Sequence, residues 1–366
     1  MKYIDLIAGA RPNFMKIAPI IDALEAAQSQ GSLLRYRLIH TGQHYDSVMS
    51  GNFFEQLGIP EPDINLGAGS GTQAEQASAV MVGYERLLMK KTSDLCLVVG
   101  DVTSTMACSI VARKLGVAVA HVEGGIRSGD WTMPEEINRI VTDSISNWFF
   151  TTSETANKNL RNAGVSDDHI FFVGNTMIDT LLKQMPNFRP PVFWEELGLQ
   201  PGQYFVLTLH RPSNVDGELK LSALIKAISK GTGGLPVIFP VHPRTAKKLR
   251  ELGGLVSGIC YVDPQSYLEF NYLVKHSKGV ITDSGGITEE TTVMGVPCIT
   301  LRDNTERPET VTIGTNELIG TDPADITSAL KRLIEGEWKK GGTPEKWDGH
   351  ASHRIVEVLE QLSKKQ

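Results

Sequence analysis

At 366 residues, with 41% hydrophobic and 21% charged residues, the chain exceeds what one hydrophobic core usually supports, and two domains of ordinary size are expected. The net charge is −6 and no Lys/Arg run is long enough for a polynucleotide surface, which excludes a nucleic-acid partner. No window approaches a membrane span, the start enters a strand without signal-peptide features, and Cys96, Cys108, Cys260 and Cys298 are widely spaced among apolar neighbours, so a cytoplasmic protein with buried thiols and no membrane partner is expected.

Short apolar runs alternate with helical patterns, the signature of βα units and parallel sheets in an α/β fold. In the first half the predicted strands are Tyr3 to Ala8, Leu34 to Thr41, Leu95 to Gly100, Val117 to Glu123, Trp148 to Thr151 and Ile170 to Val173. Gly9-Ala10-Arg11-Pro12 follows the first of them and lacks the Gly-x-Gly-x-x-Gly fingerprint, so no nicotinamide cofactor is expected. Gly67 to Gly71 follows no clear strand and reads as a loop. The domain boundary falls between Gly174 and Leu199, where Gly174-Asn175-Thr176 and the Pro-rich stretch to Pro191 interrupt the pattern, giving domains 1–174 and 175–350. The second half offers Phe205 to Leu209, Val237 to Pro240, Ile259 to Val262, Gly279 to Thr282, Pro297 to Thr300 and Leu318 to Ile319, then an amphipathic helix over 351–366 expected to pack back on the first domain.

Polar residues collect after these strands, where ligands bind in open α/β sheets. Arg11 and Lys16 follow the first, Gln43 and His44 the second, Asp101 the third; Glu123 ends the fourth, with Glu135 and Glu136 soon after. Each has a plainer reading: Asp101 as a helix N-cap, Glu135 as a first-turn dipole partner, His210 as a satisfied core His, His242-Pro243 as a turn. Glu123 resists it, because a carboxylate closing a strongly apolar strand needs a partner or a proton. The nine His residues do not cluster with Cys or one another at ligand spacing, so no metal is expected.

Residues 283–309 carry the most. Ser284-Gly285-Gly286 stands between a buried strand and a helix, where glycines let the backbone approach an anion and the helix N-terminus faces it. Glu290 lies one turn inside on the same face, suited to the hydroxyls of a ribose, and Arg307 follows the next strand with a planar fork for an outer phosphate. The set fits a nucleoside diphosphate. Several acid/base groups beside it suggest proton transfer on an attached sugar.

In Gly9-Ala10-Arg11-Pro12, Thr41-Gly42-Gln43-His44, Gly100-Asp101, His121-Val122-Glu123-Gly124-Gly125-Ile126-Arg127, Met133-Pro134-Glu135-Glu136-Ile137-Asn138-Arg139, His210-Arg211, Pro240-Val241-His242-Pro243, Asp283-Ser284-Gly285-Gly286 and Thr305-Glu306-Arg307-Pro308-Glu309, the chain resembles the non-hydrolysing UDP-N-acetylglucosamine 2-epimerases over essentially its whole length. The resemblance implies two Rossmann-like domains in a glycosyltransferase-B-type architecture, with the active site in the interdomain cleft, and a homodimer. It implies interconversion of UDP-GlcNAc and UDP-ManNAc by elimination of UDP to 2-acetamidoglucal and re-addition, without a cofactor. Matched residue by residue, it assigns catalysis to Asp101, Glu123, Glu135 and His210. It assigns substrate binding to Arg11, Lys16, His242, Phe270, Ser284, Gly285, Gly286, Glu290 and Arg307, with Phe270 stacking on uracil. Gln43 and His44 are candidate regulatory positions for a second UDP-GlcNAc. They continue here as Tyr45-Asp46, a pattern shared with epimerases of UDP-2,3-diacetamido uronic acid sugars. A UDP-sugar glycosyltransferase on the same fold is the other alternative, though it would need fewer acid/base groups.

Overall fold

The computed structural model describes residues 2–42, 57–241 and 256–364. They form two compact units, the first of Met1–Lys183 with Glu345–Gln366 and the second of Gln184–Pro344.

The first unit holds a seven-stranded, all-parallel sheet: β1 (Tyr3–Ala8), β2 (Arg35–His40), β3 (Ile64–Asn65), β4 (Leu95–Val99), β5 (Ala118–Val122), β6 (Trp148–Thr151) and β7 (Ile170–Phe172). Their order is β3-β2-β1-β4-β5-β6-β7, with Ile4 level with Leu95. Strand β4, Leu-Cys-Leu-Val-Val, is buried at every residue, as a parallel strand covered on both faces requires. The covering helices are α1 (Arg11–Ser29), α2 (Gln73–Lys90), α3 (Thr103–Lys114), α4 (Pro134–Ile145), α5 (Glu154–Asn162) and α6 (Thr176–Gln184). Helix α2 begins at a reciprocal capping box between Thr72 and Glu75.

The second unit runs α7 (Phe193–Glu196), β8 (Phe205–Thr208), α8 (Pro212–Val215), α9 (Glu218–Gly231), β9 (Val237–Pro240), β10 (Ile259–Val262), α10 (Tyr267–His276), β11 (Gly279–Thr282), α11 (Gly285–Met294), β12 (Cys298–Thr300), α12 (Pro308–Thr312), β13 (Asn316–Leu318) and α13 (Pro323–Ile334). Its parallel sheet is ordered β10-β9-β8-β11-β12-β13. Apolar side chains bury both of its faces, Phe205, Leu207 and Ile281 against α9 and α13 on one side, Val206, Ile238 and Val280 against α7 and α10 on the other.

Both sheets reverse their order of growth once, between β1 and β4 and between β8 and β11. At such a switch point neighbouring loops diverge and leave a crevice beyond the strand ends. The loops concerned are Gly9–Ala10 with Gly100–Asp101, and Leu209–Arg211 with Asp283–Ser284.

The units part later than residue 174 because α6 is tied to the first unit: Thr180 donates to the Met15 carbonyl and Lys183 pairs with Asp22. The chain returns before residue 350. Trp347 is buried with its indole N–H on the Thr152 carbonyl, and Asp179 accepts the N–H groups of Ala351 and Ser352 at the head of α14 (Ala351–Lys364), which packs on α1. Two strands differ from expectation by more than one residue at an end. Strand β3, only two residues long, precedes the Gly67–Gly71 loop, and β13 begins at Asn316 rather than Leu318 because Asn316 already pairs in register with Cys298 of β12. Among the described residues the cysteines are unpaired with one another, and no helix is long and apolar enough to cross a membrane.

Candidate active site

In the first unit the crevice is built around one glycine-permitted turn and one strained residue. Gly100 has φ +70°, and a Cβ there would sit 3.4 Å from the Lys16 amine and 3.9 Å from a Glu123 carboxylate oxygen. Glu123 itself has φ +71°, a conformation that non-glycine residues rarely hold and that marks functional sites more often than core positions. It is 4% exposed and Lys16, from the second turn of α1, donates to it at 2.8 Å. A buried carboxylate is thus matched by a nearly buried ammonium.

Asp101 does not cap the following helix, whose N-cap is Val102. Instead Arg139 grips one of its carboxylate oxygens with Nε (2.9 Å) and Nη2 (2.5 Å), and Asn138 donates to its carbonyl. Arg139 also donates to Glu136, which in turn accepts the N–H groups of Ser128 and Gly129. Burial pushes the Glu136 carboxyl up, but these donors outweigh it and hold the group below the usual range. Behind them His121 donates from Nε2 to the Gly100 carbonyl (2.8 Å), while its Nδ1 lies 2.7 Å from Asp143. Asp143 also accepts the Gly125 N–H and pairs with Arg127. Its burial raises the carboxyl, and His121 and Arg127 bring it below its ordinary value.

Helix α4 therefore turns Glu136, Arg139 and Asp143 inward, at i, i+3 and i+7, and leaves Ile137 45% exposed. Its buried stripe is charged. Glu135, next to Glu136 in the first turn, is exposed.

In the second unit the pivot is Asp283, fully buried after β11. It accepts the backbone N–H groups of His210 and Arg211 and the Asn214 amide, and its Oδ1 lies 2.7 Å from His210 Nδ1. Burial raises this carboxyl, but His210 and the other donors hold it below the usual carboxylate range. A carboxylate on Nδ1 fixes the His tautomer and leaves Nε2 as the other ring nitrogen of a side chain that is 61% exposed. Ser284 is the N-cap of α11 and makes no side-chain capping bond. Glu290 is buried with Tyr267 donating to it at 2.8 Å; burial raises its carboxyl to about 7, the Glu289 charge adds to this, and Tyr267 opposes it. Arg307 is buried and places Nε 2.5 Å from Glu289. Phe270, on α10, is partly buried at the edge of the core.

The structure thus brings Lys16, Asp101 and Glu123 together in one unit, and His210, Ser284, Gly285, Gly286, Glu290 and Arg307 around β11 in the other. Gln43, His44 and His242 lie outside the described residues. So does the side chain of Arg11, which opens α1. Sequence reasoning missed the roles of His121, Arg139, Asp143 and Asp283 as orienting partners. The one available signal was the inverted pattern of α4, apolar Ile137 between charged residues that belong inside. Among the described residues no three His, Cys, Asp or Glu side chains are grouped to hold a metal.

The family described as UDP-N-acetylglucosamine 2-epimerase matches residues 26–360. A UDP-N-acetylglucosamine 2-epimerase from Methanocaldococcus jannaschii is 40% identical, over 97% of this chain and 98% of its own. A UDP-2,3-diacetamido-2,3-dideoxy-D-glucuronate 2-epimerase from Pseudomonas aeruginosa is 37% identical, over 99% of this chain and all of its own. The crystal structure of the Methanocaldococcus jannaschii UDP-GlcNAc 2-epimerase in complex with UDP-GlcNAc and UDP superimposes with a TM-score of 0.85 at 38% identity, over 98% of this chain and 99% of the other. The α/β architecture of glycosyltransferase-B type is therefore shared with it.

Proposed function

Because the chain belongs to the UDP-N-acetylglucosamine 2-epimerase family, and so is an epimerase, we propose that it interconverts UDP-GlcNAc and UDP-ManNAc by elimination of UDP and re-addition to the resulting 2-acetamidoglucal. One observation carries the reading. Three of the four proposed acid/base groups have a charged orienting partner: Lys16 for Glu123, Arg139 for Asp101 and Asp283 for His210. Groups held this firmly suit proton transfer at a fixed atom.

The chemistry needs such groups. C2–H of the sugar is not beside a carbonyl, so it becomes acidic only as the anomeric C–O bond breaks and positive charge grows at C1. Inversion at C2 then requires removal of the proton from one face and delivery to the other, which Asp101, Glu123, Glu135 and His210 share. The leaving UDP is held by the Ser284-Gly285-Gly286 turn at the head of α11, with Arg307 and Arg11 on its phosphates, Glu290 on its ribose and Phe270 on its uracil. Lys16 and His242 complete the substrate contacts. The protein acts in the cytoplasm as a homodimer.

The Pseudomonas aeruginosa relative and the Gln43-His44-Tyr45-Asp46 pattern favour a second substrate, a UDP-2,3-diacetamido uronic acid sugar with the same C2 chemistry. Proton NMR in D2O, run separately with each sugar nucleotide, tests both. The expected result is the C2 epimer of one of them, with deuterium at C2 and no added NAD or metal. Epimer formed without solvent label would overturn the elimination route.

A further inference from the structure

The head of α11 faces two side chains that the proposed substrate contacts do not use. A Cβ on Gly285 would lie 2.5 Å from Glu306 Oε1, so Glu306 stands against the turn only because residue 285 has no side chain, and Arg302 Nη1 lies at contact distance, 4.0 Å from the same point. Arg302 is 5% exposed. Its Nη2 donates to Glu306 (2.7 Å) and Asn304 (3.1 Å), yet Nε and Nη1 are buried with no hydrogen-bond partner. A guanidinium is always charged and carries five N–H donors in one plane, and leaving some of them buried and unmade is unfavourable. These donors stand beside a ten-residue helix whose first N–H groups lack intrahelical acceptors and whose N-cap side chain supplies none.

Glu306 completes the arrangement. Its own burial would raise the carboxyl, but Arg302, and then Arg307, bring it down to about 2, so it is an anion at every physiological pH. An anion at this point occupies the positive end of the α11 dipole. Arg307, by comparison, already has Nε on Glu289.

We propose that Arg302 is a phosphate-binding residue of the α11 turn and that Glu306 is an internal anion holding its place, which gives way when a phosphate of the nucleoside diphosphate arrives. Nε and Nη1 then gain the acceptor they lack, and the helix N-terminus exchanges a side-chain carboxylate for a phosphate. The inference rests on the nucleotide reading above and adds a cation and a competing anion to it. Loss of Arg302 weakens the phosphate, whereas loss of the Glu306 charge strengthens it, an opposition that a purely structural ion pair would not produce.

The test compares wild type, Arg302→Met and Glu306→Gln, titrated with UDP by calorimetry and with uridine by NMR. Arg302→Met should bind UDP roughly 10- to 150-fold more weakly, the range for a charge-assisted contact, with uridine unchanged. Glu306→Gln should bind UDP several-fold more tightly, again with uridine unchanged. If Arg302→Met loses both ligands through misfolding, Glu306→Gln decides alone. UDP affinity unchanged in Arg302→Met, or unchanged or weaker in Glu306→Gln, overturns the proposal while leaving the nucleotide site in place. Wild type that binds neither ligand overturns the nucleotide reading itself.

Discussion

Replacing Glu290 with Gln should make the folded protein more stable, and increasingly so as pH rises. Glu290 is buried, and its carboxyl is raised from an ordinary 4.5 to about 7 by that burial, with a smaller push from Glu289. A raised carboxyl binds its proton more tightly in the folded state than in the unfolded one. Its contribution to stability is therefore intact below pH 4.5, declines between 4.5 and 7, and is fully lost above 7. At about 1.36 kcal/mol per pH unit the gap amounts to about 3 kcal/mol above pH 7, and to roughly 0.8 kcal/mol at pH 5. Gln is uncharged at both, its Oε1 can still accept from Tyr267, and its amide faces the buried Asn271 side chain, which can accept from it. Urea denaturation of both proteins at pH 5 and pH 8 reads the difference. The advantage of Glu290→Gln should grow by about 2–3 kcal/mol across that interval. An advantage equal at the two pH values would refute the argument that Glu290 is ionised at a loss. The same variant should bind UDP more weakly, because the proposed ribose contact needs the carboxylate.

Asp283→Asn should lower turnover roughly 10²- to 10⁴-fold with UDP affinity retained, since an amide can donate to His210 Nδ1 and reverse the tautomer; initial rates check this, and near-normal turnover would remove Asp283 from its orienting role. Asp101→Asn, Glu123→Gln, Glu135→Gln and His210→Asn should each cost on the order of 10²–10⁴ in turnover while the variants stay folded by circular dichroism; any that keeps normal turnover has no proton-transfer role. Arg307→Ala removes the guanidinium facing Glu289, whose side chain is 1% exposed, and should destabilise the protein by about 3 kcal/mol or more in urea denaturation; wild-type stability would show that the pair contributes little.

Strands were legible where apolar residues run unbroken. Tyr3–Ala8, Trp148–Thr151, Val237–Pro240, Ile259–Val262 and Gly279–Thr282 fall where the pattern puts them. Ile64–Asn65 was not, because a two-residue edge strand has no periodicity and exists only through its pairing with β2. The glycine turn after β11 was visible for a local reason: Ser284, Gly285 and Gly286 are consecutive residues between a strand and a helix. Orienting partners were invisible for the opposite reason. Arg139 reaches Asp101 across 38 positions and Asp283 reaches His210 across 73, and nothing in either neighbourhood announces the other. Charged residues are read as solvent-facing by default, so a helix that buries Glu136, Arg139 and Asp143 defeats the rule.

The return of the chain to its first unit has a consequence for biosynthesis. Residues 184–344 interrupt a body whose last pieces, Trp347 and helix α14, come from its far end. At translation rates of about 5–20 residues per second, the first unit waits on the order of ten seconds or more beside the ribosome with the surface that α14 covers still bare. Its seven strands emerge early, but the body can close only after the inserted one has been made. An uncovered apolar face of that lifetime is a docking place for chaperones, and it makes the N-terminal unit, not the inserted one, the aggregation-prone half of the nascent chain.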